Sequence, residues 1–508
     1  MKRLGLKLLF LIVASPFVAI AEQPNILIIL VDDMGYSDIG CYGGEIQTPN
    51  LDKLAKNGMK FSQMYNTAKC YPTRACLQTG IYFQRTDRDF RNTATLGEVL
   101  RPVGYRTLWA GKHHANFSPT TRGYDRHFGL LGGASNHWNP GKSARPGERV
   151  PATKGANSWD LDGRIVKDFI PEDRNFYTTD TFTDYALKWL DEYKKEDKPF
   201  LLYVAYTAPH WPLHAWPEDI AKYKGDYDVG YDAIREQRYK RQLKMGLFDP
   251  EKAPMTVPDR PYDWDSLSPQ EKSNEAKRME VHAAMVDRID QNIGRLVEKI
   301  TDLGELDNTL ILFLSDNGAS PEKPKVKDHD PSAPWGTVGR YDTFGPSWAQ
   351  VSETPLRKWK GSSHEGGINT PLIAHWPAVI QPTKKWYREP VHLIDILPTI
   401  LDITGAEYPG ESSEADIPPV DGVSFLAALK GGTHQREKPL FFQFGGGSAM
   451  RDGKWKLVRS RKEWELYDFS KYRTENQDLA VEMPELVKQM SRAWETWYVE
   501  CTGEAYKK

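Results

Sequence analysis

The sequence predicts a mostly parallel α/β sheet flanked by helices, followed by a small C-terminal antiparallel sheet plus helix. Three observations lead there. Apolar runs at residues 26–31, 105–110, 199–206 and 310–314 show no alternation, the mark of strands buried on both faces. Segments of helical period fall between them, at residues 96–103, 181–193 and 281–303. After Gly431-Gly432 the pattern changes to short strands joined by turns.

At 508 residues the chain is too long for one ordinary core, so a large domain and a smaller one are expected. With 39% hydrophobic and 27% charged residues, it has the composition of a soluble globular protein. A net charge of −2 gives no reason to expect a nucleic-acid partner. Residues 1–21 read as a signal peptide. Lys2, Arg3 and Lys7 precede an apolar stretch, and Ala19-Ile20-Ala21 fits a cleavage site. The apolar stretch is too short to span a bilayer, so no membrane span is expected after cleavage. The expected division is a signal peptide at 1–21, a large domain at 22–430 and an α+β subdomain at 431–508, in a periplasmic or secreted protein. The four cysteines, Cys41, Cys70, Cys76 and Cys501, are too few for a disulfide scaffold. Whether any disulfide forms among Cys41, Cys76 and Cys501 stays open.

Taken in order, the first apolar run ends in Asp32-Asp33-Met34-Gly35. That is the carboxyl edge, where open α/β sheets place ligands. A helix is expected at residues 50–57, closed by Gly58. Residues 66–80, NTAKCYPTRACLQTG, come next. Pro72 suits a first helical turn and Gly80 a C-terminal stop. Cys70 then lies just before a helix N-terminus, where free N–H groups and the dipole favour an anion. Arg74 adds a cation about one turn on, so a nucleophile position sits beside an anion site. Residues 105–110 lead into Gly111-Lys112-His113-His114, and 199–206 into Pro209-His210. Residues 310–314 lead into Ser315-Asp316-Asn317-Gly318.

Irregular stretches at 134–174, 211–274 and 320–358 leave the same edge and are expected to wall a pocket. In them and beside the motifs, His137, Trp138, Trp211, His214, Trp335, Arg340, Tyr341, Trp348 and Trp359 are candidates for stacking or hydrogen bonding to a substrate. Residues 354–371 place Lys360 before Glu365-Gly366-Gly367. A strand at 371–375 and helices at 393–403 and near 424–429 follow. The tail reads as strands at 439–444, 454–459 and 464–468 and a helix at 484–498, with Leu486, Met490 and Trp494 on one face.

Asp32, Asp33, Asp316 and Asn317 offer oxygen donors only. That set suits a hard cation, Ca²⁺ ahead of Mg²⁺, rather than Zn²⁺.

The stretch Cys70-Tyr71-Pro72-Thr73-Arg74, followed by Thr79-Gly80, resembles the signature of type I sulfatases, arylsulfatase-like members of the alkaline phosphatase superfamily. Leu30–Gly35 and Ser315–Gly318 resemble that family's two metal motifs. Gly111-Lys112-His113-His114, Ala208-Pro209-His210 and Lys360…Glu365-Gly366-Gly367 resemble its remaining motifs. The resemblance implies that a maturase oxidises Cys70 to Cα-formylglycine, whose hydrate attacks sulfur and adds an oxygen to the metal. It also implies that Arg74, Lys112 and Lys360 neutralise sulfate oxygens. His210, with Lys360, is expected to protonate the departing alcohol, and His114 to take a proton from the second hydroxyl of the hydrate. Tyr71 and Asn369 depart from the pattern, standing where a small residue and an Arg are common.

The expected substrate is a sulfated carbohydrate, desulfated at a terminal sugar, with aryl sulfates turned over as well. Residues 339–349, GRYDTFGPSWA, resemble a stretch of arylsulfatase-like members. The alternatives are a phosphodiesterase or phosphonate monoester hydrolase of the same superfamily, and an inactive Ca²⁺-dependent glycan-binding protein. The filled catalytic positions speak against the last.

Overall fold

The four apolar runs are all strands, and at the centre strand β1 (Asn25–Asp32) is buried along its whole length. The computed structural model describes residues 23–506 apart from 156, 260, 262, 410–416 and 461–462. The expected signal peptide, 1–21, lies outside the described residues. After β1 come β2 (Met59–Tyr65), β3 (Arg106–Gly111) and β4 (Arg126–Leu130). Then follow β5 (Ser158–Leu161), β6 (Arg164–Lys167), β7 (Phe200–Pro209) and β8 (Thr309–Ser315). β9 (Asn369–His375), β10 (Trp386–Tyr387) and β11 (Val391–His392) complete the large sheet. Its order is β10-β2-β9-β8-β1-β7-β3-β4-β5-β6, with β11 also on β2. The centre, β8-β1-β7-β3-β4, is parallel, and antiparallel pairs enter at β9 and β5. The sheet is therefore mixed around a parallel core.

The missing alternation in β1 has a direct cause. Leu27, Ile29 and Val31 join one hydrophobic cluster, which includes Val286, Ile289 and Ile293 of the helix Pro269–Asp302. Ile26, Ile28 and Leu30 join another, which includes Leu393, Ile396 and Leu397. Helices cover both faces, so every position from Ile26 to Val31 is apolar.

A second sheet, β12 (Leu440–Phe444), β13 (Gly447–Asp452), β14 (Trp455–Arg459) and β15 (Glu465–Asp468), is antiparallel throughout. The helix Pro484–Thr502 buries Met490, Trp494 and Trp497 against it, and Trp494 Nε1–H donates to the Phe442 carbonyl at 3.1 Å. Leu440, Phe442, Ala449 and Val458 pack on Tyr65, Ala68 and Ile368. The small sheet thus backs the segment that leads into Cys70. Among the described residues no helix is long and apolar enough to cross a membrane.

Several expectations are corrected. The three long stretches are not irregular throughout. Residues 134–174 contain the β5–β6 hairpin, which extends the sheet. Residues 211–274 contain the helices Pro217–Ala221 and Tyr231–Lys244. Residues 320–358 contain the helix Gly345–Ser352. The helix expected at 281–303 begins at Pro269, where Ser268 and Glu271 form a capping box. Its first turns are polar, so the apolar period starts late. Among the described residues the small sheet has four strands rather than three. β13 begins in a run of glycines that reads as a turn.

The small sheet is fastened by a buried charge. Lys456 Nζ lies 2.7 Å from both Glu365 and Glu475, all three without exposure. Lys456→Ala leaves two carboxylates facing each other in the interior. It is expected to cost about 3–5 kcal/mol of stability, read from urea unfolding by tryptophan fluorescence. A loss within experimental error would show that the fastening lies elsewhere.

Candidate active site

Strand pairing brings the two acidic motifs together. β1 and β8 run in parallel with Val31 opposite Ser315, so Asp32 and Asp316 leave the sheet side by side. The two ends are then bonded to each other. Asp316 N–H donates to the Val31 carbonyl at 3.0 Å, and Asp33 N–H donates to Asp316 Oδ1 at 3.2 Å. Met34 N–H donates to Ser315 Oγ at 3.1 Å, and Asn317 Nδ2–H donates to Asp33 Oδ1 at 2.7 Å.

The helix Cys70–Thr79 enters this cluster from β2. Cys70 is its first residue, not the residue before it, and Lys69 is the N-cap in extended backbone. Pro72 sits in the first turn, where its missing N–H has no partner to lose. Thr67 and Thr73 hydroxyls meet at 2.9 Å, closing the entry turn. Gly80 ends the helix at φ 68, with its N–H on the Cys76 carbonyl. Cys70 is 2% exposed, and its sulfur belongs with Asp32 and Asp316 to a group whose donor atoms lie within 4.8 Å of one another. Burial raises its thiol pKa against the pull of Lys112 and Lys360.

Cations fill the gaps between the carboxylates. Arg74 is fully buried and donates to Asp316 Oδ2 at 2.8 Å and to the Lys112 carbonyl at 3.0 Å. Lys112 Nζ lies 2.5 Å from Asp32, and Lys360 Nζ lies 2.6 Å from Asp33. His210 donates from Nδ1 to the Trp211 carbonyl at 2.7 Å and turns Nε2 toward Asp33 at 3.4 Å. Burial holds its ring below the ordinary imidazole range, opposed by Asp33 and reinforced by Lys360 and Lys112. His114, at φ 66, is likewise held well below that range by burial and by Lys112 and Arg74, and its Nδ1 has no partner. A Cβ on Gly133 would lie 2.6 Å from His114 Nε2, so this ring needs a glycine opposite it. The neighbouring His113 is fully buried, packed among Phe90, Trp109 and Phe117.

Two buried oxygens in the cluster, Asp32 Oδ1 and Asn317 Oδ1, accept no hydrogen bond. Buried acceptors without donors are costly. Burial and the charge of Asp32 also push the Asp316 carboxyl up to about 7, despite Arg74 and Lys112. Unsatisfied oxygens and carboxyl groups crowded together in the interior fit a hard cation between these residues.

Above the cluster lies a cavity of about 350 Å³. Cys70, His114, His210 and Lys360 line it, together with Lys69, Lys154, Trp211, Glu322 and Tyr341. Arg74 and Lys112 stand behind this lining. Lys69 and Glu322 pair at 2.6 Å, and Trp211 Nε1–H donates to Glu322 at 3.2 Å. A larger groove of about 510 Å³, lined by Arg106, Tyr193 and Lys198, holds none of the cluster residues.

Of the nine expected contacts only Trp211 and Tyr341 line the cavity. Trp348 is core, packed on Tyr227, Tyr231 and Trp264. Trp138 packs on Tyr177 and Trp216, Trp335 lies under Arg340, and Trp359 packs against the larger core. His214 accepts from His137 N–H and bonds the Arg340 carbonyl, and His137 bonds the His210 carbonyl. Sequence reasoning missed Lys69, Lys154 and Glu322. Only Lys69 carried a signal, its place next to Cys70. Of the two departures, Tyr71 meets His114 edge-on at 5.8 Å, and Asn369 is buried and bonds Glu365 at 3.0 Å.

The family model described as Sulfatase matches residues 24–406. An uncharacterized sulfatase of Schizosaccharomyces pombe is 33% identical, over 94% of this chain and 94% of its own length. An arylsulfatase of Klebsiella aerogenes is 32% identical, over 80% of this chain and 92% of its own. The crystal structure of Ps i-CgsB in complex with k-i-k-neocarrahexaose superimposes with a TM-score of 0.68 at 25% identity, covering 96% of this chain and 95% of that one. With a mixed sheet whose parallel core gathers Asp32, Asp33, Cys70, Asp316 and Asn317 at its carboxyl edge, and with a family match across most of its length, the chain belongs to the sulfatase family and is a sulfuric ester hydrolase.

Proposed function

We propose that the protein is an exported sulfatase that removes sulfate from a terminal sugar of a glycan and also accepts aryl sulfates. In this reading residues 22–430 form the catalytic domain and 431–508 a subdomain behind it. The observation that carries it is the convergence of Cys70, His114, His210 and Lys360 on one cavity directly above the acidic cluster. Export rests on the signal-like residues 1–21. The sugar substrate is supported by the bound neocarrahexaose of Ps i-CgsB and by the polar lining around Trp211 and Tyr341.

Cys70 as a thiol is a poor nucleophile here, because burial keeps it protonated. Its oxidation by a maturase to formylglycine would supply, as the hydrate, one hydroxyl for attack on sulfur and a second for release of sulfate. Asp32, Asp33, Asp316 and Asn317, with an oxygen from position 70, would hold one Ca²⁺, which when bound polarises a sulfate oxygen and lowers the pKa of the hydrate.

The chain's own side chains do the rest. Lys360 lines the cavity, and Asp33 keeps it charged, so it faces a sulfate oxygen as a preorganised cation. Lys112 presents its charge from behind, on Asp32. Arg74 braces Asp316 and the Lys112 carbonyl. The Nδ1–H bond of His210 fixes the tautomer that turns Nε2 to the substrate. A sulfate monoester brings negative charge beside that nitrogen and favours its protonated form, which then gives a proton to the leaving oxygen, with Lys360 sharing the task. His114, neutral and unpartnered at Nδ1, is the acceptor for the proton released at position 70.

Five outcomes are expected. Mass spectrometry of the active protein finds formylglycine at position 70, Cys70→Ala is folded and inactive, and thorough chelation abolishes turnover. Full activity with an intact thiol, or without a divalent cation, would defeat the corresponding assignment. His210→Ala slows release of sugar alcohols by ~10²–10⁴-fold and of nitrophenol far less; equal losses on both would remove the acid role. Oligosaccharides that differ only in whether the sulfated residue is terminal or internal test the pocket. Terminal sulfate is expected to be released and internal sulfate left, and equal release would show an open cleft.

A further inference from the structure

Glu353 directly follows the helix Gly345–Ser352 and does not line the cavity. Its side chain is fully buried. One carboxylate oxygen accepts the N–H of Ala319, and the other accepts the N–H of Tyr36 at 3.2 Å. Tyr36 lies on the loop that follows Asp32-Asp33, and Ala319 on the loop that follows Asp316-Asn317. The Ala319 carbonyl in turn accepts the N–H of Lys360 at 3.1 Å. Backbone packing around the residue is tight. Ser37 N–H donates to the Ser352 carbonyl at 2.8 Å, and a Cβ on Gly35 would lie 2.4 Å from Ser352 Cβ. A Cβ on Gly318 would lie 2.8 Å from the Glu353 carboxylate. Burial pushes the Glu353 carboxyl up and the two N–H donors oppose that shift; buried amide N–H groups require acceptors, and its two oxygens supply them at a fixed spacing.

We propose that Glu353 is a positioning residue: its one carboxylate bonds the two loops that carry the acidic cluster and, through Ala319, the backbone of Lys360, and so sets the geometry in which the cluster takes up a divalent cation. The inference rests on the metal reading given above. Groups that orient metal ligands from outside typically change affinity by about 10–100-fold when removed.

The test uses the full chain and two variants. Glu353→Gln keeps one amide acceptor, and Glu353→Ala keeps none. Ca²⁺ affinity is measured by titration calorimetry, backbone hydrogen exchange is followed over residues 34–38 and 317–321, and kcat/KM is measured on nitrophenyl sulfate. Glu353→Ala is expected to bind Ca²⁺ about 10–100-fold more weakly, to exchange faster in both segments, and to recover activity as Ca²⁺ is raised. Glu353→Gln is expected to lie between, with faster exchange in one segment. Folded variants with unchanged exchange and unchanged Ca²⁺ affinity would overturn the proposal. If Glu353→Ala does not fold, Glu353→Gln decides by the same two readouts. If the unaltered protein takes up no Ca²⁺, the metal reading fails, while the exchange data still decide whether Glu353 holds the two loops.

Discussion

Everything in the site depends on the parallel pairing of β1 with β8. Successive side chains of a strand point to opposite faces, so a shift of one residue would turn Asp32 away from Asp316. Both strands are buried on both faces, and their apolar runs alone specify register weakly. Polar groups at the ends do that work. At the start, Asn25 Nδ2–H donates to Glu305 at 3.0 Å, and Asn25 Oδ1 accepts the Phe200 N–H at 2.9 Å. At the finish, Asp316 N–H on the Val31 carbonyl and Met34 N–H on Ser315 lock the same alignment. At the carboxyl end the residues that hold the register are therefore next to, or the same as, those that form the site.

The second constraint is charge. Asp32, Asp33 and Asp316 are buried, and each isolated carboxylate would cost several kcal/mol to desolvate. Arg74, Lys112 and Lys360 pair with them and bring the cluster close to neutrality. A divalent cation added to that set leaves it positive, which suits a sulfate ester carrying one negative charge. The backbone is strained at the same place. Asp33, Ala68 and His114 all have positive φ, at a cost of about 1–3 kcal/mol each. Such a conformation persists only where the surroundings hold it; the bonds between the two acidic loops do so at Asp33, and Asn66 and Gly361 do so at Ala68.

The catalytic edge was readable in the sequence because each of its parts is a local pattern. An apolar run followed at once by Asp-Asp, Lys-His-His, Pro-His or Asp-Asn locates both the strand end and its chemistry. Proline and glycine likewise bounded the helix that starts at Cys70. The pocket walls were not readable in this way. Glu322 and Lys154 reach the cavity because of how long loops fold back, and no spacing encodes that. Trp348 looks like a wall residue for the opposite reason: its stretch is polar, but its ring is packed against Tyr231 and Trp264. Arg74 shows the limit for roles. Its place one helical turn after Cys70 locates it beside the nucleophile position, and its contacts with Asp316 and the Lys112 carbonyl come from strand ends distant in sequence.

The glycines that follow the site motifs answer to contact between loops. A Cβ on Gly318 would fall 1.8 Å from the Gly366 carbonyl, and one on Gly366 would fall 2.3 Å from the Lys358 carbonyl. A Cβ on Gly367 would fall 1.9 Å from the Ser362 carbonyl. No side chain fits at these positions. The loop with Asp316-Asn317 and the turn after Lys360 are thus pressed backbone to backbone, and Gly318 N–H bonds the Gly367 carbonyl at 3.3 Å. Glu365, at the head of the same turn, is held by Lys456 from the small sheet and by Asn369 from β9. A chain of contacts therefore runs from the antiparallel sheet through Glu365 to Lys360 and the acidic cluster. This gives the C-terminal unit a physical role in the site to which, among the described residues, it contributes no cavity lining: it fixes the turn against which the cluster is built.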